Sequence, residues 1–377
     1  MAYYTAQTLG LAGLCAFFSL RRTAIDFYIV SIISVWSIGV ILIYSRMGMD
    51  QHFFYTNDQA GYEALVDSIG EFGVSLRLHD LIGGGYPVVL PAFLLTLFGI
   101  NTVLTLKFLQ LVSLILIYKS GRELLARHGK RLVSWKIIFF CGPIFIFMTF
   151  LGLRDLALSY LTFMFVFKPA PISKGVGIVG VFMLRPHLGA ALIVGKLVSM
   201  IYRRVQFKHF HILVLCLTLS LYFLGAYAFR FGSAFQFGES GITTDEVLSQ
   251  AKFTRLGANF LGFQFLVLGD AVKLSVVTLF ATRILFIDTF LIPIIFLLTL
   301  MIPSKRWNDL RIEIFSGFIF FYGVTSQTMF NSTRQNIPFL LIMGIASLIG
   351  SPILNRRVSS RGEVQAGTQI NSQNSVL

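Results

Sequence analysis

Long apolar runs follow one another through most of the chain, parted by short polar segments. They lie near 5–20, 24–45, 86–118, 137–153, 156–168, 174–184, 188–202, 209–229, 257–302, 313–330 and 337–354. A bilayer core takes about 20 apolar residues per straight helix. Inside it every backbone polar group must find a partner within the protein, which favours helices. Composition points the same way. Of 377 residues, 13% are charged, 55% hydrophobic and 15% aromatic, whereas a soluble domain carries about 25% charged residues. This argues against a soluble enzyme. The expected fold is all-α: one polytopic membrane domain over 1–354, with about eleven to thirteen helices. Several runs are short, which implies tilt, tight turns or local thinning. The segment 355–377 is rich in Ser, Gln, Asn and Gly and reads as a disordered tail.

Lys and Arg number 31 against 17 Asp and Glu, a net charge of +14. These charges cluster between apolar runs, so the positive-inside rule explains them better than a nucleic-acid partner does. Cys15, Cys141 and Cys216 all fall inside apolar runs. They read as small buried residues, with no disulfide framework or metal spacing. The start of the chain lacks a basic region and a small-residue cleavage site, so no removable signal peptide is expected.

Loop charge assigns sides. Residues 119–136 hold Lys119, Arg122, Arg127, Lys130, Arg131 and Lys136 against Glu123. Basic residues gather again at Arg203, Arg204 and Lys208, at Lys305, Arg306 and Arg311, and at Arg356, Arg357 and Arg361. With Arg21 and Arg22, these places should be cytoplasmic, as should the C-terminus. Segment 46–85 holds Asp50, Asp58, Glu63, Asp67, Glu71 and Asp80 against Arg46 and Arg77, and should face outward. Segment 230–256 should do the same. An odd number of crossings must then separate 46–85 from 119–136. The break at Gly99-Ile100-Asn101 divides run 86–118, so 102–118 should cross while 86–100 either lies at the outer interface or dips in and returns, buried against protein. The same parity turns Arg154-Asp155, Arg185-Pro186-His187 and 331–334 outward. Region 257–283, with Asp270, Lys273 and Arg283, either crosses twice or lies in the interface.

Ionisable residues next to hydrocarbon are costly, which makes these outward turns functional candidates. Asp58 precedes a stretch with Tyr62, Leu65, Val66 and Ile69 on one helical face. Either Asn57 or Asp58 can cap that helix. Alternatively, the Asp58 carboxylate takes a proton from an acceptor hydroxyl or holds a divalent ion. Glu63, Asp67 and Glu71 read as a solvated face. Asp155 stands where a helix N-terminus favours an acid, and Arg154 can pair with it. Arg154, Arg185 and Arg334 can instead bind phosphate oxygens, and together they suit a lipid phosphate or pyrophosphate leaving group. His187 can shuttle a proton or simply pack. Gly83-Gly84-Gly85 has no P-loop context and reads as a hinge into an interfacial helix.

The order of these segments resembles a known family. An N-terminal membrane helix precedes an acidic outward loop, "TNDQAGYEALVDSIGEFG", and then "GYPVVLPAFLLTLFGIN". "LKFLQLVSLILIYKSGRELL" and "CGPIFIFMTFLGLRDLALSYLTF" follow. Over roughly residues 24–170 this resembles the N-terminal half of the GT-C membrane glycosyltransferases. The later "NSTRQNIPFLLIMGIAS" resembles that family's late helix, in which an arginine precedes a proline. The resemblance implies a polyprenyl-phosphate-linked sugar as donor, a glycan or lipid acceptor, and transfer at the outer face of the cytoplasmic (inner) membrane for cell-envelope glycan synthesis. It implies Asp58 and Asp155 as the two acidic catalytic positions and supports Arg334. It departs from the family in having no carboxylate beside Asp58 and no soluble C-terminal domain. No cofactor is implied beyond an optional divalent metal at Asp58. The chain is also similar to multipass O-antigen and exopolysaccharide polymerases, for which "LGLRD", "LRPH" and "STRQ" would serve pyrophosphate lipids. A lipid-linked glycan transporter would need ionisable groups near the midplane, for which Asp270, Lys273, Arg283 and Asp288 are the candidates, and pseudo-repeats, which are not seen.

Overall fold

The computed structural model describes residues 2–20, 26–47, 57–73, 85–128, 143–151, 154–204, 216–227, 309–325 and 333–349. Among them the secondary structure is helical, with no strand. The helices are α1 (Ala2–Leu20), α2 (Phe27–Met47), α3 (Asn57–Phe72), α4 (Tyr86–Thr96), α5 (Thr102–Arg127), α6 (Pro143–Leu151), α7 (Asp155–Phe167), α8 (Pro171–Leu184), α9 (Pro186–Arg204), α10 (Cys216–Tyr227), α11 (Asp309–Thr325) and α12 (Thr333–Ile349). The tail 355–377, the segments 230–256 and 257–283, and the cluster Asp270, Lys273, Arg283 and Asp288 lie outside the described residues, as does Cys141.

Local chemistry sets many of the boundaries. Prolines 143, 171 and 186 open α6, α8 and α9, where the missing N–H costs nothing. Asn101 caps α5, its side chain accepting from the Leu104 N–H at 3.2 Å. The short α4 begins at Gly85, whose φ of 78° is left-handed. A Cβ at Gly85 would stand 2.6 Å from the Tyr62 ring of α3. The expected hinge is therefore, at Gly85, a close-packed corner.

The break at 99–101 separates two unequal helices, as the sequence suggested. With 11 residues α4 reaches only about 16 Å, short of a bilayer core of about 30 Å. With 26 residues α5 reaches about 39 Å. Among the described residues α5 is the helix long and apolar enough to cross a membrane by itself. It also runs well past 118, so the first part of the basic segment 119–136 is helix and not loop. The reason is tertiary. Lys119 Nζ donates to the Ser19 carbonyl at 2.6 Å, and Arg122 binds Asp26 at 2.5 Å. These contacts hold the last turns of α5 against α1 and α2.

Helix directions sort the charges into two ends. At one end Ser19, Asp26, Lys119 and Arg122 meet, Lys168 lies 4.0 Å from Glu123, and Arg203 of α9 binds Asp309 of α11 at 2.5 Å. At the other, Tyr3 and Gln7 of α1 donate to the Gly99 carbonyl at 2.7 Å. There too the Gly85 N–H reaches the Met183 carbonyl at the end of α8. Both ends of α4 thus lie on the end of the bundle where α5, α7 and α9 begin.

Two apolar cores hold the bundle. One centres on Trp36 of α2 with Leu104, Leu111 and Leu114 of α5. The other centres on Phe315, Phe318 and Phe321 of α11 with Phe339 of α12. The face expected of α3 is found: Tyr62, Val66 and Ile69 are buried, Leu65 packs beside them, and Asp67 and Glu71 are exposed. Cys15 is buried, but Cys216 is exposed among the described residues. It stands on a face of α10 that also exposes Leu219, so apolar flanks alone do not bury it.

Helices α9 and α11 approach most closely where side chains are smallest. A Cβ on Gly195 would collide with the Glu313 carbonyl, and one on Gly317 would lie 2.9 Å from the Ala191 carbonyl. Such small-residue seams drive helix association where water supplies no hydrophobic force. Lys196 and Glu313 close the seam at 2.8 Å. We predict that Gly195→Val costs about 1–3 kcal/mol through overpacking. Gly175→Ala on α8 meets nothing within 4 Å and should gain about 0.5–1 kcal/mol. Thermal unfolding of both variants in detergent checks the opposite signs.

Candidate functional site

Asp155 is fully buried in the first turn of α7. Helix N-termini favour acids, but that does not offset the cost of burying a charge, which needs a partner. Its partner is Arg185, with Nη2 at 3.5 Å from Oδ1 and the arginine side chain 11% exposed. Pro186 explains how Arg185 gets there. A residue before proline is barred from the helical region, so α8 ends and Arg185 turns extended, with φ −153° and ψ 90°. The Leu188 and Gly189 N–H groups then donate back to its carbonyl, starting α9.

Arg154 precedes Asp155 and reaches α8 and α3. Its Nη1 donates to the Leu184 carbonyl at 2.6 Å, in the last turn of α8, where carbonyls lack helical donors. Its guanidinium carbon stands 5.9 Å from the Tyr62 ring centroid, within range of a cation–π contact. Asp155 thus pairs across elements with Arg185. Successive residues at a helix start point in different directions, which sends the two side chains to different neighbours. His187, in the first turn of α9, is half-buried and lies beside Arg185 and Arg154.

Arg154, Asp155, Arg185 and His187 therefore come together. Asp58 and Arg334 are placed by backbone alone: Asp58 is in the first turn of α3 and Arg334 in the first turn of α12, and their side chains lie outside the description. Asp58 stands one turn before Tyr62 on α3, a spacing that shares a helix face. Helix α12 packs along α7. Among the described residues no three His, Cys, Asp or Glu side chains gather as a metal site. The side chain of the metal candidate Asp58 is outside that set.

Two residues of this site escaped the sequence reading. Lys107 and Gln110 sit in α5, 2% and 1% exposed. Lys107 Nζ donates to the Phe150 carbonyl of α6. Gln110 Oε1 accepts the Leu156 N–H of α7 at 3.1 Å. The signal was present: they are polar residues one turn apart inside an apolar run, and such residues are functional suspects. Arg154 and Arg185 together outnumber the one buried carboxylate described beside them. That balance suits an anionic ligand.

Breaking a buried pair leaves a buried charge uncompensated, at a cost of about 3–5 kcal/mol. Asp155→Leu should destabilise the protein by that order, and adding Arg185→Leu should recover much of the loss. A double-mutant thermal cycle checks the coupling. Comparison with protein-family models, with curated proteins and with solved structures gives no match to this chain.

Proposed function

We propose that this chain is a polytopic membrane glycosyltransferase. It would move a sugar from a polyprenyl-phosphate-linked donor to a glycan or lipid acceptor at the outer face of the cytoplasmic membrane. The observation that carries the reading is the buried Asp155–Arg185 pair with Arg154 beside it at the end of α8. An excess of cationic groups at the helix ends suits a phosphate that must be held and then stabilised as it leaves. Membrane embedding is supported by apolar side chains left exposed on the described helices, among them Phe17, Ile38, Leu42, Val179, Leu197 and Ile201. A soluble surface rarely carries so much exposed apolar area. In this reading the basic end of the bundle is cytoplasmic.

The reaction is a direct displacement. The acceptor hydroxyl oxygen attacks the anomeric carbon of the donor, and its proton passes to Asp58. The bond between the anomeric carbon and the phosphate oxygen breaks, and polyprenyl phosphate leaves with the electron pair. Arg154, Arg185 and Arg334 hold that phosphate as its charge rises. Asp155 keeps Arg185 in place, and His187 can donate or accept a hydrogen bond. Asp58 and Arg334 take these roles from the family resemblance.

The test uses purified protein in nanodiscs with a panel of polyprenyl-phosphate and polyprenyl-pyrophosphate sugars. Release of free lipid phosphate is followed by mass spectrometry. Wild type should turn over a monophosphate carrier. Asp58→Asn should lose at least about 10²-fold while still inserting and keeping its melting temperature. Retention of normal turnover by Asp58→Asn removes its catalytic role and leaves a helix-capping one. Turnover confined to pyrophosphate-linked oligosaccharides, with lengthening chains, replaces this reading with repeat-unit polymerisation.

A further inference from the structure

The turn that carries Arg154 and Asp155 is gripped from both sides by one helix. Lys107 and Gln110 stand one turn apart on α5 and share a face. Lys107 Nζ takes the Phe150 carbonyl in the last turn of α6, where carbonyls have no helical donor. Gln110 Oε1 takes the Leu156 N–H in the first turn of α7, where amides have no helical acceptor. The amide orientation of Gln110 is settled by this contact, since an N–H can meet only the oxygen. The Phe150 ring adds a third hold: a Cβ on Gly39 of α2 would lie 2.6 Å from it. Both polar side chains are buried, and an apolar run gives no packing reason for either.

We infer that Lys107 and Gln110 form a two-point clasp that fixes the Arg154–Asp155 turn against α5, and that they are positioning residues for the anion-binding side chains on it. This deepens the glycosyl-transfer reading and rests on it for its catalytic consequence. The clasp itself does not. Without the Gln110 acceptor, the Leu156 N–H loses its partner and the first turn of α7 is free to shift. Arg154 would then move relative to Leu184 and Tyr62, and Asp155 relative to Arg185. A shift of about 1 Å in such a group costs roughly 10²-fold in rate.

The test compares wild type, Gln110→Leu and Gln110→Glu in nanodiscs. Amide hydrogen exchange over 154–158 reads the clasp, and lipid-phosphate release reads its consequence. Gln110→Leu should raise exchange at Leu156 and its neighbours, while α9 and the α5 C-terminus keep theirs. Its kcat should fall by roughly 10²-fold with KM little changed, the pattern of an interaction lost from the transition state. Gln110→Glu, which keeps an acceptor for Leu156, should restore protection and recover most of the rate. Gln110→Ser replaces Gln110→Leu if the latter does not fold. Unchanged protection at Leu156 overturns the clasp. Raised exchange with unchanged kcat and KM overturns its positioning role. If wild type releases no lipid phosphate from any carrier, the transfer reading falls, and the exchange measurement still decides the clasp.

Discussion

Burying the Asp155 carboxylate imposes the demand that the rest of the site answers. A carboxylate removed from water needs an opposite charge beside it. Arg185 meets it only because Pro186 ends α8 there and turns the arginine inward. That one requirement ties the start of α7 to the junction of α8 and α9. Arg154 ties the same turn to the end of α8 and to Tyr62 of α3. A pair of adjacent residues thus joins four helices.

Charge can be concentrated there because the surrounding helices are held without it. The α9–α11 seam is made of Gly195, Gly317 and Ala191, which let backbones touch, and the aromatic core of α11 and α12 fills the space beside it. Close packing resists relaxation, so the helix ends stay where the seams put them. At the opposite end, Asp26 with Arg122 and Asp309 with Arg203 pair acids with the basic clusters. Those pairs involve exposed arginines, so each contributes little to stability; their effect is to keep helix ends in register.

Much of the helical order was legible in the sequence. Apolar runs gave most helix positions within a few residues, and the break at Gly99-Ile100-Asn101 separated α4 from α5. Loop charges separated residues that the helix directions also place at opposite ends, such as Arg122 and Arg154. The reading failed where a residue's neighbours in space differ from its neighbours in the chain. Arg185 stands thirty positions from Asp155 in the chain yet meets it in space. The basic segment after 118 looked like a loop until its contacts with α1 and α2 extended α5 to Arg127. Lys107 and Gln110 were hidden by their apolar surroundings, since hydropathy averaged over a run conceals single polar residues.

By itself the sequence determined the helical class, the order of the segments and which turns carry charge. These depend on composition and on spacing along the chain, which short-range physics reads directly. The tertiary structure decided which charges meet. It buried Asp155 against Arg185, turned Arg154 to α8 and Tyr62, and set the end of α6 and the start of α7 against Lys107 and Gln110. Such choices depend on distances between helices remote in sequence. Those distances follow from how closely backbones can approach, at glycines such as Gly195 and Gly85, and that is a property of the packed bundle.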